Sequence, residues 1–432
     1  MTTRLNRFIQ RLRELTGEKL TALMGLIFEI DGLRESFLRQ DANKAPGVDG
    51  IRKQDYAEGL DERLAALSQR LRRNAYRPLP ARRSDIEKDN GSKRPLDIPT
   101  VQDRLIQQAL HRVLNAAFDQ EMSAQSWGFR PGRSAHDAVT AARGYVAEGK
   151  DWVVDIDLAS FFDQVNHDRL MHLLGERISD QRIMTLIGRY LRAPMDTGDG
   201  RQVRRSRGTP QGGPLSPLLA NLYLDVLDRE LVRRGLSFVR YADDIAVFVS
   251  SERAAKRVLE RLTRWLHKHL DLEVNVAKSG AHRTEDTALL GFRIHPDGQV
   301  SPAPKAIERL KERVRMLWDA RQSLTTQQLR DQWQCYITGW WNYYGYANGR
   351  REVQALSGWI RRHMRKCFWL RWHNRHGRRK ALERLGVRGR ALGVAGCRRG
   401  AWFMARHVVL HQVLKNATLS RYGLILPWTL AG

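Results

Sequence analysis

The sequence predicts an α+β fold, with a central strand-bearing block between helical segments. Three observations predict it. Apolar, β-forming residues cluster at 152–158 and again at 238–240 and 245–249. Helical periodicity precedes this block, at Leu105, Ala109, Val113 and Ala116, and dominates after it, at Ile307, Leu310, Val314, Leu317 and Trp318. Glycine and proline clusters punctuate the transitions.

In chain order, Leu5, Phe8, Leu12 and Leu15 recur at helical spacing, so the first forty residues read as helix. NKAPGVDG (43–50) is a loop by composition, and helix returns over 56–73. Pro78 and Pro80 open an extended stretch, and Asp89-Asn90-Gly91 reads as a hairpin turn. Residues 100–120 are helical, 152–158 form a strand entering a tight bend, and 170–191 are mostly helix. Gly212, Gly213 and Pro214 turn the chain into a helix over 215–233. The strands at 238–240 and 245–249 flank Tyr241-Ala242-Asp243-Asp244, a hairpin signature with acid at its tip. Beyond Pro302 and Pro304 the texture is helical. Leu329, Trp333, Tyr336, Ile337, Trp340 and Trp341 make one stripe, and a helix over 353–372 carries Arg361, Arg362, Arg365 and Lys366 on its outer side. Three regions follow: 1–150, 151–300 and 301–432.

Charge is the strongest compositional signal. The 432 residues hold 74 Lys and Arg against 47 Asp and Glu, a net +27. Such an excess points to a polyanionic partner, because each neutralised phosphate releases counterions; solvated basic helix faces are the plainer alternative. Cys335, Cys367 and Cys397 are far apart, which argues against disulfides and zinc fingers. No run approaches the roughly 18 apolar residues of a membrane span, and the basic N-terminus lacks a signal-peptide core. A cytoplasmic protein without membrane contact is expected.

The acids carry the chemistry. Nucleotide joining uses two divalent ions about 3.5–4 Å apart, and Mg²⁺ takes oxygen ligands. Carboxylates held that close repel by about 4 kcal/mol per pair at an effective dielectric of 20, so they tolerate it only with cations between them. Asp243 and Asp244 at a hairpin tip, plus one acid ending a neighbouring strand, supply this arrangement; an exposed Asp-rich turn is the plain alternative. Asp157 and Asp155 share a strand face by the period of two and compete for the third place. Asp157 is preferred, with Asp155 as a hydrogen-bonded neighbour.

The chain resembles the group II intron-encoded reverse transcriptases, or maturases. It carries their blocks in order: NKAPGVDG (43–50), GSKRPLDIPTVQDRLIQQAL (91–110), SWGFRPGRSAHDAV (126–139), VVDIDLASFFDQVNHDRL (153–170), RGTPQGGPLSPLLANLYLDVLD (207–228), RYADDIAVFV (240–249), LEVNVAKS (272–279) and LLGFRI (289–294). WQCYITGWWNYYGY (333–346) resembles the maturase thumb. The resemblance implies a right-hand polymerase with fingers, an RRM-like antiparallel palm and a helical thumb. It implies two Mg²⁺ ions, with Mn²⁺ as a substitute, on Asp157, Asp243 and Asp244. Phe162 matches the residue under the incoming sugar that rejects a 2′-hydroxyl, the alternative being a core Phe beside Phe161. Lys88 and Arg94 match the fingertip pair that grips the triphosphate, with Lys93 a rival in register. Gln211 matches a glutamine near the nucleotide sugar, and Lys278 a late palm lysine.

For the rest, the residues leave more open. Arg130 and Arg133 in GFRPGRS touch template or nucleotide, or else satisfy palm carboxylates. Most C-terminal Trp are expected in the core, with Arg361, Arg362, Arg365, Lys366 and the run at 378–380 facing RNA. Asp97 and Glu87 depart from the pattern, where Gly and Pro are usual, without touching the proposed chemistry. The absence of a Cys-rich extension before Gly432 resembles bacterial relatives without an endonuclease, which would prime from nicks or fork ends. Expected partners are intron RNA, an RNA template with DNA primer, dNTPs and a DNA target, with the protein a monomer or dimer in a ribonucleoprotein. Alternatives are a domesticated relative serving DNA repair or phage defence, or an RNA-binding splicing factor with an idle palm.

Overall fold

The computed structural model describes residues 3–12, 19–87, 91, 93–199, 201–347 and 350–427. Contacts divide the chain into two units, Met1–Tyr145 with Gly149–His282, and Val146–Glu148 with Arg283–Gly432. The main division falls at 282/283, and apart from 146–148 the residues on either side of 150 lie in one unit. One continuous core explains the second point, running from Leu5 through Leu110, Ile156 and Leu224 to Leu272. The strands Phe292–Ile294 and Val300–Pro302 explain the first, because they pair with each other and not with the palm sheet.

In the first unit, a four-stranded sheet has the order Ser237–Tyr241, Asp244–Val249, Trp152–Ile156, Gly280–Arg283. Its first three strands pair antiparallel. The strand Asp244–Val249 is buried along its whole length except at Asp244, which is why its β-branched and aromatic run forms the middle of a sheet. The helices Ser216–Arg233 and Glu252–Leu270 pack on the sheet. A second sheet joins Ala81–Glu87 and Lys93–Ile98 as an antiparallel hairpin, with Glu87 opposite Lys93. Its expected turn at 89–91 lies mostly outside the described residues.

The expected single N-terminal helix is corrected. Helix covers Thr3–Leu12, Met24–Ile27 and Ile30–Leu38, and Ala22 with a φ of 54° stands in the left-handed region between them, which interrupts a right-handed helix. Leu15 lies outside the described residues. The helix at 56–73 is likewise two, Lys53–Ala57 and Leu60–Arg72, parted at Gly59 with a φ of 66°.

The second unit contains the helices Pro304–Leu317, Thr326–Tyr344, Arg350–Arg371 and Arg375–Arg384. Trp318, Trp333, Ile360 and Met364 are buried in its main core, and Trp369, Leu382 and Met404 in a second cluster. Trp333 Nε1 donates to the carbonyl of Ile425 at 2.7 Å, so the indole is hydrogen-bonded where it is buried. Among the described residues no helix is long and apolar enough to cross a membrane.

Candidate active site

Strand register assembles the acids. Ile156 lies opposite Ile245, so Asp157, the next residue, emerges beside Asp244 at the same end of the sheet. Tyr241 pairs with Asp244, leaving Ala242 and Asp243 as a two-residue turn, with Ala242 at a φ of 59°. That positive φ belongs to the primed turns that match strand twist. Asp157 is clamped from a third segment. Ser279 Oγ accepts from its N–H at 2.9 Å, and Asn275 N–H donates to its carbonyl at 2.8 Å. The same loop brings Lys278 Nζ to 3.5 Å from Asp157 Oδ2.

The electrostatics match a cation site. Asp244 is exposed at the tip, yet surrounding protein displaces enough water to push its carboxyl up to about 6, helped by the negative charges of Asp243, Asp155 and Asp157 and opposed by Lys278. Asp155 is raised to about 6 by burial and then by Asp157. Among the described residues no three acid, His or Cys side chains converge into a ready metal cluster. Mutually repelling carboxylates splay, and Mg²⁺ keeps several waters and takes substrate phosphates as ligands, so a dedicated protein cage is not needed. An all-oxygen donor set in which Asp244 holds its proton more tightly than a free carboxyl fits a hard divalent ion.

The segment 160–163, a few residues beyond Asp157 in sequence, packs on the segment 207–213. Phe162 is half-buried and meets Phe161 edge-on at 5.2 Å between ring centroids; its carbonyl accepts from Thr209 N–H at 2.6 Å. Gly208 permits this approach, since an added Cβ would stand 2.8 Å from the Phe162 carbonyl oxygen. Gln211 Nε2 reaches Asp163 Oδ1 at 3.3 Å. Its backbone is held by Asp97, whose Oδ2 accepts from Gln211 N–H at 2.9 Å and whose own N–H donates to the Gln211 carbonyl at 2.5 Å. Arg205 forms an ion pair with the same buried carboxylate. Asp97 is therefore corrected: the residue that departs from the family pattern positions Gln211. Gly212 sits tight against it, an added Cβ falling 2.4 Å from the Asp97 carbonyl oxygen.

Residues 86–294 match the family model described as reverse transcriptase (RNA-dependent DNA polymerase), and residues 307–386 the group II intron, maturase-specific domain. Protein YkfC of Escherichia coli is 32% identical over 319 residues, 64% of this chain and 83% of that protein. The chain belongs to the group II intron reverse transcriptases and maturases. The group II intron-encoded protein LtrA of Lactococcus lactis is 34% identical over 55% of this chain, which spans 39% of LtrA. Among solved structures, telomerase from Candida albicans covers 73% of this chain and 66% of its own with 12% identity and a TM-score of 0.43. This reverse transcriptase has a right-hand polymerase fold, is an RNA-directed DNA polymerase dependent on divalent metal, and acts on nucleic acid.

Sequence reasoning missed the device that holds the Tyr241–Asp244 turn of this maturase. Arg240 and Asp228 are both fully buried and paired at 2.6 Å. Arg240 Nη1 also donates to the Ala242 carbonyl at 2.9 Å and to Asn221 Oδ1 at 2.8 Å, and Nη2 to Ser126 Oγ at 2.7 Å. Asn221 Nδ2 in turn donates to the Gly128 carbonyl at 2.8 Å. Gly128 lies against the turn, where an added Cβ would fall 2.4 Å from Ala242 N. The signal was present as an arginine inside an apolar strand, and as Asn221 and Asp228 seven residues apart on one helix face.

The basic residues divide. Arg130 is buried and is corrected as an RNA contact: Nε pairs with Asp119 at 2.8 Å, and Nη1 donates to the carbonyls of Ser123 and Ser126 at 2.6 and 3.1 Å. Arg133 is half-buried, donating to the carbonyls of Ala124 and Ser126 and stacking over Trp127. Both brace the 123–126 loop, Arg130 partly through the Asp119 carboxylate and Arg133 through backbone carbonyls instead of the palm carboxylates the sequence suggested. Arg365 is also corrected, being 1% exposed with its guanidinium on the Leu414 carbonyl at 3.0 Å; burial lowers it to about 10. Arg361 donates to Asn416 Oδ1 at 2.7 Å, while Arg362 and Lys366 are half-exposed, with Lys366 over the Trp402 ring. Lys88 lies outside the described residues. Arg94 is placed only by its backbone, opposite Ile86, and Lys93 is exposed.

Proposed function

We propose that this chain extends a primer 3′-hydroxyl with dNTPs on an RNA template, using Asp157, Asp243 and Asp244 to hold two Mg²⁺ ions, and that its second unit binds intron RNA in splicing and in insertion at a DNA target. The carrying observation is the register that sets Asp157 at the strand end beside the Asp243-Asp244 turn. When bound, the metal pair would activate the hydroxyl and neutralise the leaving phosphates. The chain's own residues do the rest. Arg240 and Gly128 hold the turn that aims Asp243, Lys278 adds positive charge beside Asp157, and the ring of Phe162 forms a floor suited to deoxyribose. Gln211, fixed by Asp97, lies in the segment packed on Phe162. Arg94 belongs to the hairpin suited to gripping a triphosphate and is a forked donor, while Lys88, outside the described residues, is a point charge. Arg362 and Lys366 are left as candidate RNA contacts.

The test is Asp243→Ala in the full chain. Extension of a DNA primer on an RNA template should disappear while RNA affinity is retained. Surviving extension would refute the acid assignment, and lost RNA binding would show a damaged fold instead of a missing ligand.

A further inference from the structure

We propose that a cationic cavity in the second unit binds one unstacked nucleotide of RNA. The inference rests on the reading that this unit contacts RNA, and it names the place and the form in which RNA is held. The cavity measures about 790 Å³, within the range of sites that enclose a small ligand, about 300–1,000 Å³.

Its walls are positive. The helix Arg375–Arg384 presents His376, Lys380 and Arg384 at intervals of four residues, which places them on one face lining the cavity. Arg330, which also pairs with Asp331 at 2.8 Å, and Arg371 line it from two other helices. No acidic side chain lines it among the described residues. Lys380 and Arg384 are like charges four residues apart, a pairing that opposes helix formation, so the arrangement is suited to an anion that neutralises it. Arg371 is held by the Leu324 carbonyl and by the Cys367 thiol beside it.

The floor is apolar. Phe368, Trp372, Leu414 and Leu424 provide it, and Tyr422, 55% exposed, stands at the rim. A polar anion such as free phosphate has no use for that surface, and an RNA duplex keeps its base faces stacked inside. A nucleotide turned out of its stack offers both parts at once, a flat base for the aromatic side chains and a phosphate for the cations. The side chains of Gln327 and Asn374 also line the cavity and can reach base edges; Asn374 Oδ1 already caps Gly377 N–H at 2.9 Å, leaving its amide donors for a ligand.

The experiment compares the full-length wild type with Lys380→Glu/Arg384→Glu and with Tyr422→Ala, all at exposed positions. Fluorescence anisotropy measures affinity for a labelled single-stranded oligoribonucleotide and for a blunt RNA duplex, and 4-thiouridine crosslinking maps the contact. Reversing two cations should weaken single-strand binding by about tenfold or more, the scale expected when phosphate contacts are removed. Tyr422→Ala should weaken single-strand binding several-fold and leave duplex binding as it was. Crosslinks should fall in the peptides bearing Trp372 or Tyr422. Unchanged single-strand affinity in both variants, or equal losses on duplex, would each overturn the pocket. A wild type that binds no RNA would instead remove the underlying reading of the unit, so the two failures are told apart.

Discussion

Replacing Arg240 with Met separates stability from turn placement. The substitution removes the guanidinium that pairs directly with Asp228, whose carboxylate is fully buried, leaving the more distant charge of Arg130 to act on it. Breaking one side of a buried ion pair costs about 3–5 kcal/mol, a large share of the roughly 5–15 kcal/mol that holds a domain folded. The same change deprives the Ala242 carbonyl of its charged donor at 2.9 Å. A hydrogen bond to a charged group is worth about 1.5–3 kcal/mol, and about 1.4 kcal/mol is tenfold in rate. Extension should therefore slow by about one to two orders of magnitude if that bond is expressed in the placement of Asp243. The companion Arg240→Met/Asp228→Leu removes both charges and should recover most of the stability, measured by urea denaturation. Its extension rate, followed by single-turnover primer extension, should stay low because the Ala242 contact is still missing. A loss of under about 1 kcal/mol in the single variant, the ordinary scale of an exposed pair, would refute the burial argument. Full activity in the double variant would refute the positioning role.

Other consequences are as direct. Phe162→Ala should raise ribonucleotide incorporation relative to deoxyribonucleotide, measured by competition between the two triphosphates; unchanged selectivity would remove the sugar-gate role. Divalent-ion affinity should fall by about tenfold per unit as pH drops below about 6, because a proton held by Asp244 competes with the ion. The folded carboxyl binds its proton more tightly than the free side chain does, so the metal-free protein should lose stability as pH rises from 3.8 through about 6, with calorimetry in chelator as the check. Asp97→Ala should free the backbone of Gln211 and raise the KM for dNTP, at a cost of about 1.5–3 kcal/mol in kcat/KM; an unchanged KM would place Asp97 in folding alone.

Local pattern carried far in this chain. The apolar strands, the acid-tipped turn at Tyr241–Asp244 and the helical stripes of Trp318 and Trp333 are short-range features, and the structure has them where local pattern put them. The unit boundary was less legible, because the pairing of Phe292–Ile294 with Val300–Pro302 leaves no mark in composition. Basic residues were hardest. Arg130, Arg240 and Arg365 read like any other arginine, yet each is buried among carbonyls or carboxylates, while Lys380 and Arg384 stand exposed.

The sequence by itself determined which chemistry is present: carboxylates at the ends of apolar strands, glycines at crowded turns, and a large excess of cations. Only the tertiary structure decided which of those charges are free for a ligand. Whether an arginine faces solvent or a buried acceptor depends on partners such as Asp228, Asn221, Ser126 and Leu414, up to 114 residues away along the chain. Burial raises the cost of an unpaired charge so steeply that the fold must supply those partners.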